Sequence, residues 1–328
     1  MPFSAIKPAR LFLLPLTLLL IFCRAYAQDA APGFESAMAL NEPAARAEAL
    51  QKLLDNQTDV AVAEKIRVEL TKSYAALGET QLVAKNIDQA LQTFHKAIEA
   101  FPKEIDDDFF EGVVTKLPLA VSVRGYRTEA ILLSRDLEPR FAQKAERLSR
   151  LGEFYLGMEA PADAVRVLTA SLKLAPDSAP TLRTLGNAYR MNLNIDKAAI
   201  YFQQAIKADP KEPRAYFELA NIYRALGRQD EAIKLYQQQF DIDPQHPGSL
   251  KGMALALLSL GKDSESEETL ARAARLSGVD LRQDFFLQTQ LALIYLSRQN
   301  TAKARASVDL ALAAEPRYSW ARIAAAEV

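Results

Sequence analysis

The amino-acid sequence predicts an all-α protein, a right-handed superhelical solenoid of antiparallel helix pairs. Three observations predict it. Leu151-Gly152 recurs as Leu185-Gly186, Leu219-Ala220 and Met253-Ala254, each 34 residues after the last, and a fixed period of this length marks a repeat architecture. Within one period, Leu185, Gly186 and Tyr189 share one helix face, while Ala198, Phe202 and Ala205 form an i, i+4, i+7 stripe on a second helix. Only 12 of 328 residues are Gly, and 25% are charged, which suits helices with a narrow apolar stripe and excludes disordered or collagen-like chains.

The first 27 residues are a separate object. Lys7 and Arg10 precede an apolar core, Leu11 to Phe22, and Ala25-Tyr26-Ala27 places small residues where a signal peptidase reads them. Cleavage before Gln28 is expected, giving an exported protein, periplasmic or extracellular. The core is short for a membrane span and Arg24 follows it closely. Phe22 before Cys23 argues against lipidation. Removing Lys7, Arg10 and Arg24 from the 40 basic residues leaves 37 against 41 acidic ones, a net charge of −4. Cys23, the one cysteine, goes too, so no disulfide is available. A mildly acidic chain without a basic block has no electrostatic footprint for nucleic acid. After cleavage no span remains.

The columns of the repeat have packing reasons. Gly186 and Ala198 are small so that paired helices approach closely, and Tyr189 and Phe202 fill the space between successive pairs. Pro176, Pro210 and Pro244 end the second helices, and Gly227 and Gly261 fall in the turns inside their pairs. The bulky column reads Leu168, Phe202, Tyr236 and Leu270, with Ala164, Ala198, Ala232 and Ser266 four residues earlier. These columns resemble the tetratricopeptide repeat (TPR) family.

In chain order, residues 28–40 read as a flexible segment and 41–70 as N-terminal helices, a cap or divergent repeat. Asn41 with Pro43 marks one start, and Thr58-Asp59 another whose helix could run through Tyr74. Gly78, Ala90, Phe94, Ala97 and Pro102 mark a repeat over 71–104. Residues 105–144, with Asp106-Asp107-Asp108, Pro118 and Gly125, read as a degenerate helix pair in which Pro118 breaks or ends a helix. Repeats in register follow over 145–178, 179–212, 213–246 and 247–280. Another spans 285–318 after four extra residues near Val279 to Arg282. Residues 319–328 read as a partial repeat or a capping helix. Trp320 and Ala324-Ala325-Ala326 suit a polar cap poorly, which favours a chain that continues.

The resemblance implies a concave groove lined by first helices, where polypeptide partners bind. Projected from the register, Arg183, Asn187, Arg190, Asn221 and Arg224 make a basic, amide-bearing centre, with Phe217 and Lys251 beside it and Leu255 and Leu258 opening an apolar patch continued by Leu293 and Leu296. Asparagine amides can both donate to and accept from a peptide backbone, and arginine forks fit carboxylates. The two-carboxylate clamp of some family members is not supported, because Glu218, Gly248 and Gly252 stand where its later residues should.

No catalytic, cofactor or metal site is expected. His95 and His246 lie in different repeats with no metal-spaced partner. Asp106 to Asp108 lacks the Gly and terminal Glu of a calcium loop and reads as a helix start. The expected function is an exported scaffold or adaptor binding polypeptide segments. The alternative is the regulatory or substrate-recruiting part of an exported enzyme whose catalytic domain lies past Val328 or on another chain. A wall- or glycan-binding structural role has only Phe217 as an aromatic platform. The sequence leaves oligomeric state and pathway open.

Overall fold

The computed structural model describes residues 33–328. The expected signal segment lies outside them. The fold is the expected all-α one, with helices in packed pairs and no strand among the described residues. The described residues fall into two compact units, divided between Pro139 and Arg140.

The first unit opens with a short helix, α1 (Phe34–Met38). Its Ala37 is buried with Leu50, Ile66 and Leu70, so residues 34–38 are helical where 28–40 were expected to be a flexible segment; residues 28–32 lie outside the described ones. Helix α2 (Pro43–Asp55) starts on a proline already set at helical φ. Helix α3 (Val60–Val83) is capped by Asp59, whose side chain accepts from the Ala61 and Val62 amides. It runs unbroken across the boundary expected at residue 70, so the N-terminal helices and the first repeat share it. Its partner α4 (Ile87–Glu99) presses Phe94 against Gly78, where a Cβ would lie 2.3 Å from the ring.

The irregular stretch departs from expectation at Pro118. A helical turn (Asp107–Phe109), a π-turn (Phe110–Val114) and α5 (Lys116–Ser122) follow one another without a break, and Pro118 sits inside α5. The ring cannot donate to the carbonyl one turn back, and the chain accommodates it by widening the preceding turn. There the Thr115 amide bonds to Phe110 O at 3.0 Å, five residues back. Pro118 therefore does not end the helix. Helix α6 (Arg127–Phe141) completes this pair.

The second unit consists of α7 (Ala145–Gly157) with α8 (Pro161–Leu174), α9 (Ala179–Met191) with α10 (Ile195–Ala208), and α11 (Pro213–Ala225) with α12 (Gln229–Ile242). Helices α13 (Pro247–Ser259) with α14 (Asp263–Ser277), α15 (Phe285–Ser297) with α16 (Thr301–Ala314), and a single helix α17 (Ser319–Glu327) follow. The four extra residues form a 3-10 turn, Leu281–Gln283. Inside the pairs, Cβ atoms at Gly152 and Gly186 would fall 2.4 Å from Leu168 and 2.8 Å from Phe202, so only glycine permits this approach. Ala198, Phe202, Leu219, Ala220, Tyr236 and Met253 belong to one buried cluster that joins three successive pairs.

One device closes the turns inside the pairs. Lys85, Gly125, Glu159, Leu193, Gly227, Gly261 and Gln299 all have φ between 51° and 89°. The amide of the next residue bonds to the carbonyl five residues back, as in Arg228 to Tyr223 (2.8 Å) and Asn194 to Tyr189 (2.9 Å), which is the left-handed closure of a helix C-terminus. Gly125 places the irregular pair in the same scheme.

Candidate functional site

The projected groove residues lie on the first helices α9, α11 and α13. A second periodic contact decides which of them are free. Arg183 Nε lies 3.3 Å from Glu212 Oε1, and Lys251 Nζ lies 2.9 Å from Asp284 Oδ2. The Phe217 ring meets the His246 ring edge-on at 4.9 Å. Glu212, His246 and Asp284 are the residues at the N-caps of the following first helices. Glu212 and Asp284 also accept the Ala215 and Leu287 amides at 2.8 and 2.9 Å. Arg183, Phe217 and Lys251 thus brace one pair against the next, and their charges or rings are already engaged.

Leu255 and Leu258 are buried, at 4% and 2% exposure, in a cluster with Leu287 and Leu291. The expected apolar groove patch at these two residues is therefore corrected: they are core. The 3-10 turn contributes Leu281 to that cluster, and α15 is apolar around most of its circumference, so it covers them. Leu293 and Leu296 are half-buried against a cluster containing Ala324.

Four candidates remain on an accessible face: Asn187, Arg190, Asn221 and Arg224. Arg190 is loosely engaged, its Nε 3.8 Å from Glu218 Oε2 and its Nη2 3.4 Å from Asn187 Oδ1. The residue matching Glu218 one repeat later is Gly252. Arg224 consequently pairs with no carboxylate among the described residues. Its guanidinium reaches Gln290 Oε1 at a long 3.5 Å and lies against the Tyr236 hydroxyl, and its Nε, like that of Arg183, is buried without a hydrogen-bond partner. Beside it, the Tyr236 hydroxyl bonds to Asn221 Oδ1 at 2.6 Å. With Oδ1 taken, the Asn221 Nδ2 group is left to donate. Burial pushes the Tyr236 phenol up, so it stays a donor, although the Arg224 guanidinium pulls the other way.

Tyr236, Gln290 and Glu218 belong to this site and were not among the projected residues. The signal for Tyr236 was its hydroxyl in a column otherwise held by Leu and Phe. No group of three or more His, Cys, Asp or Glu side chains that could hold a metal occurs among the described residues. No described helix is long and apolar enough to cross a membrane.

A tetratricopeptide repeat model matches residues 183–247, the segment that holds most of these side chains. Comparison with curated protein sequences gives no match. Among solved structures, MamA is 24% identical over 49% of this chain and 94% of its own, with a TM-score of 0.45. YrrB, a TPR protein with an unusual peptide-binding site, is 15% identical over 59% of this chain and 97% of its own (TM-score 0.45). PilF of Pseudomonas aeruginosa is 14% identical over 65% and 95% (TM-score 0.49). Similarities of this size speak to neither partner nor activity.

Proposed function

We propose that the chain is an exported scaffold that binds an extended polypeptide segment on the face carrying Asn187, Arg190, Asn221 and Arg224. The observation that carries this reading is the pairing of Arg224, a guanidinium without a carboxylate partner, with Asn221, an amide whose acceptor is already occupied by Tyr236. A peptide carbonyl accepts from Asn221 Nδ2, and an acidic side chain or C-terminal carboxylate of the same segment pairs with Arg224. The export half of the reading is supported by Leu11 to Phe22 and Ala25-Tyr26-Ala27.

A photo-crosslinking residue in place of Asn187, in cells, tests the face. It should capture a defined protein partner, and Arg224→Glu should abolish that capture while helicity is kept. Capture that is indifferent to Arg224→Glu refutes the assignment. Mass spectrometry of the purified protein tests export: the mature chain should begin at Gln28, and a retained Met1 refutes it.

A further inference from the structure

The first unit holds a cleft of about 530 Å³ that lies far in sequence from the face just described, within the size range of ligand pockets. One wall is α3, the other is the helical turn, π-turn and α5 that carry Pro118. The floor is apolar, made by Val68, Ala75, Phe109, Val113 and Leu117. The π-turn puts Gly112 on the cleft, and a Cβ there would meet nothing within 4 Å. Widened turns of this kind recur at functional sites.

The rim is acidic. Glu79 stands on one wall, Asp108 on the other, and Glu104 and Asp106 on the connection between them. Asp106 accepts the Phe109 amide as a helix cap. Glu79, Glu104 and Asp108 make no described ion pair or side-chain hydrogen bond. Of the two lining cations, Lys72 is held by Glu69 at 2.8 Å, and Lys116 alone is unengaged. The carboxylates do not converge as a metal site would require, so they suit positive charges spread along a chain rather than one ion.

We propose that this cleft binds a polypeptide segment that places an apolar side chain on the floor and lysine or arginine residues against Glu79, Glu104 and Asp108. The inference rests on the reading of the chain as a polypeptide-binding scaffold, but it adds a second site of opposite charge preference in a different unit. Apolar floor and anionic rim together select the occupant: either alone would accept many ligands, and both favour a cationic amphipathic segment.

The test uses two fluorescein-labelled synthetic peptides with identical leucines, one flanked by lysines and the other by glutamates, titrated into the mature chain and read by anisotropy. The lysine peptide should bind, and Glu79→Lys with Asp108→Lys should weaken it at least about tenfold. That variant should not weaken the glutamate peptide, and Gly112→Trp should block the lysine peptide by filling open space. The glutamate peptide reports on the other face, where Arg224→Glu should weaken it, which separates the two sites. The proposal is overturned if the lysine peptide does not bind, or if its binding ignores both the charge swap and Gly112→Trp. Circular dichroism checks each variant's folding. Should Gly112→Trp unfold the chain, the charge swap alone decides.

Discussion

Substituting Gly186 by alanine tests the packing logic of the repeat directly. The added Cβ would stand 2.8 Å from Phe202 Cε1 and 2.9 Å from Cδ1, well inside the 3.5–4.0 Å or so at which carbon atoms attract. The ring has little room to withdraw. Tyr236, its equivalent one repeat on, lies against Gly252, where a Cβ would be 2.4 Å away. The residue in that place for Phe202 is Glu218, engaged with Arg190. Overpacking of this kind costs about 1–3 kcal/mol, and the helix propensity of alanine returns about 1 kcal/mol. A net loss of about 1 kcal/mol is expected. Gly157→Ala is the control: it lies in the last turn of α7 with nothing within 4 Å, so the same change should gain up to about 1 kcal/mol. The chain supplies its own rescue, because Ala292 and Val308 occupy the corresponding columns of the α15–α16 pair, both buried. Phe202→Val alone should cost roughly 2–4 kcal/mol through the cavity it leaves. In the double variant the two changes should couple favourably by about 1 kcal/mol. Urea unfolding followed by circular dichroism gives the midpoints, and amide exchange in α9 and α10 shows whether the loss is local. Gly186→Ala at least as stable as the parent, or strictly additive losses in the double variant, would refute the argument.

Other consequences follow from single contacts. Gly227→Ala meets no neighbour but forces alanine to a φ of 79°, so it should lose about 1–2 kcal/mol from backbone strain alone, read by thermal unfolding. Asp59→Ala removes the cap that holds the Ala61 and Val62 amides and should cost about 1 kcal/mol, with faster amide exchange confined to the start of α3. Leu258→Ala should cost about 2–5 kcal/mol if the residue is core; a near-neutral effect would restore it to a binding face. Tyr236 has a phenol raised by burial, so its stabilising contribution is complete below the unfolded value of about 10 and is lost as pH rises through the higher folded value. Tyr236→Phe should therefore flatten the fall in stability above about pH 10, and an unchanged alkaline limb would count against the burial argument.

The fold was legible because its signal is spaced. Gly152, Gly186, Phe202 and the prolines stand at fixed intervals, and each interval has one packing reason. The turns inside the pairs were legible only at Gly227 and Gly261. Lys85, Glu159, Leu193 and Gln299 adopt the same left-handed conformation without glycine, because the hydrogen bond across the helix end offsets the steric cost. Leu193, 86% exposed at φ 58°, carries no trace of that in its chemistry. Pro118 misleads for a related reason: proline forbids one hydrogen bond, and a π-turn gives the chain a way round it.

The groove was harder to read because a row projected along first helices ignores what the next pair brings to it. Arg183 and Glu212 are 29 residues apart, as are Phe217 and His246. Lys251 and Asp284 are 33 apart, the same step plus the four inserted residues. The contact is as periodic as the columns that revealed the fold, yet it joins an arginine and a lysine to acids and a phenylalanine to a histidine, so residue type hides it. Arg190 and Glu218 repeat the lesson at a step of 28. Applied to Arg224, that step lands on Gly252, whose side chain is excluded by the Tyr236 ring. One small residue thus does two things. It makes room for the hydroxyl that orients Asn221, and it withholds the carboxylate that would neutralise Arg224. A glutamate at 252 would collide with the Tyr236 ring, so the packing requirement itself leaves Arg224 without the carboxylate that Arg190 has.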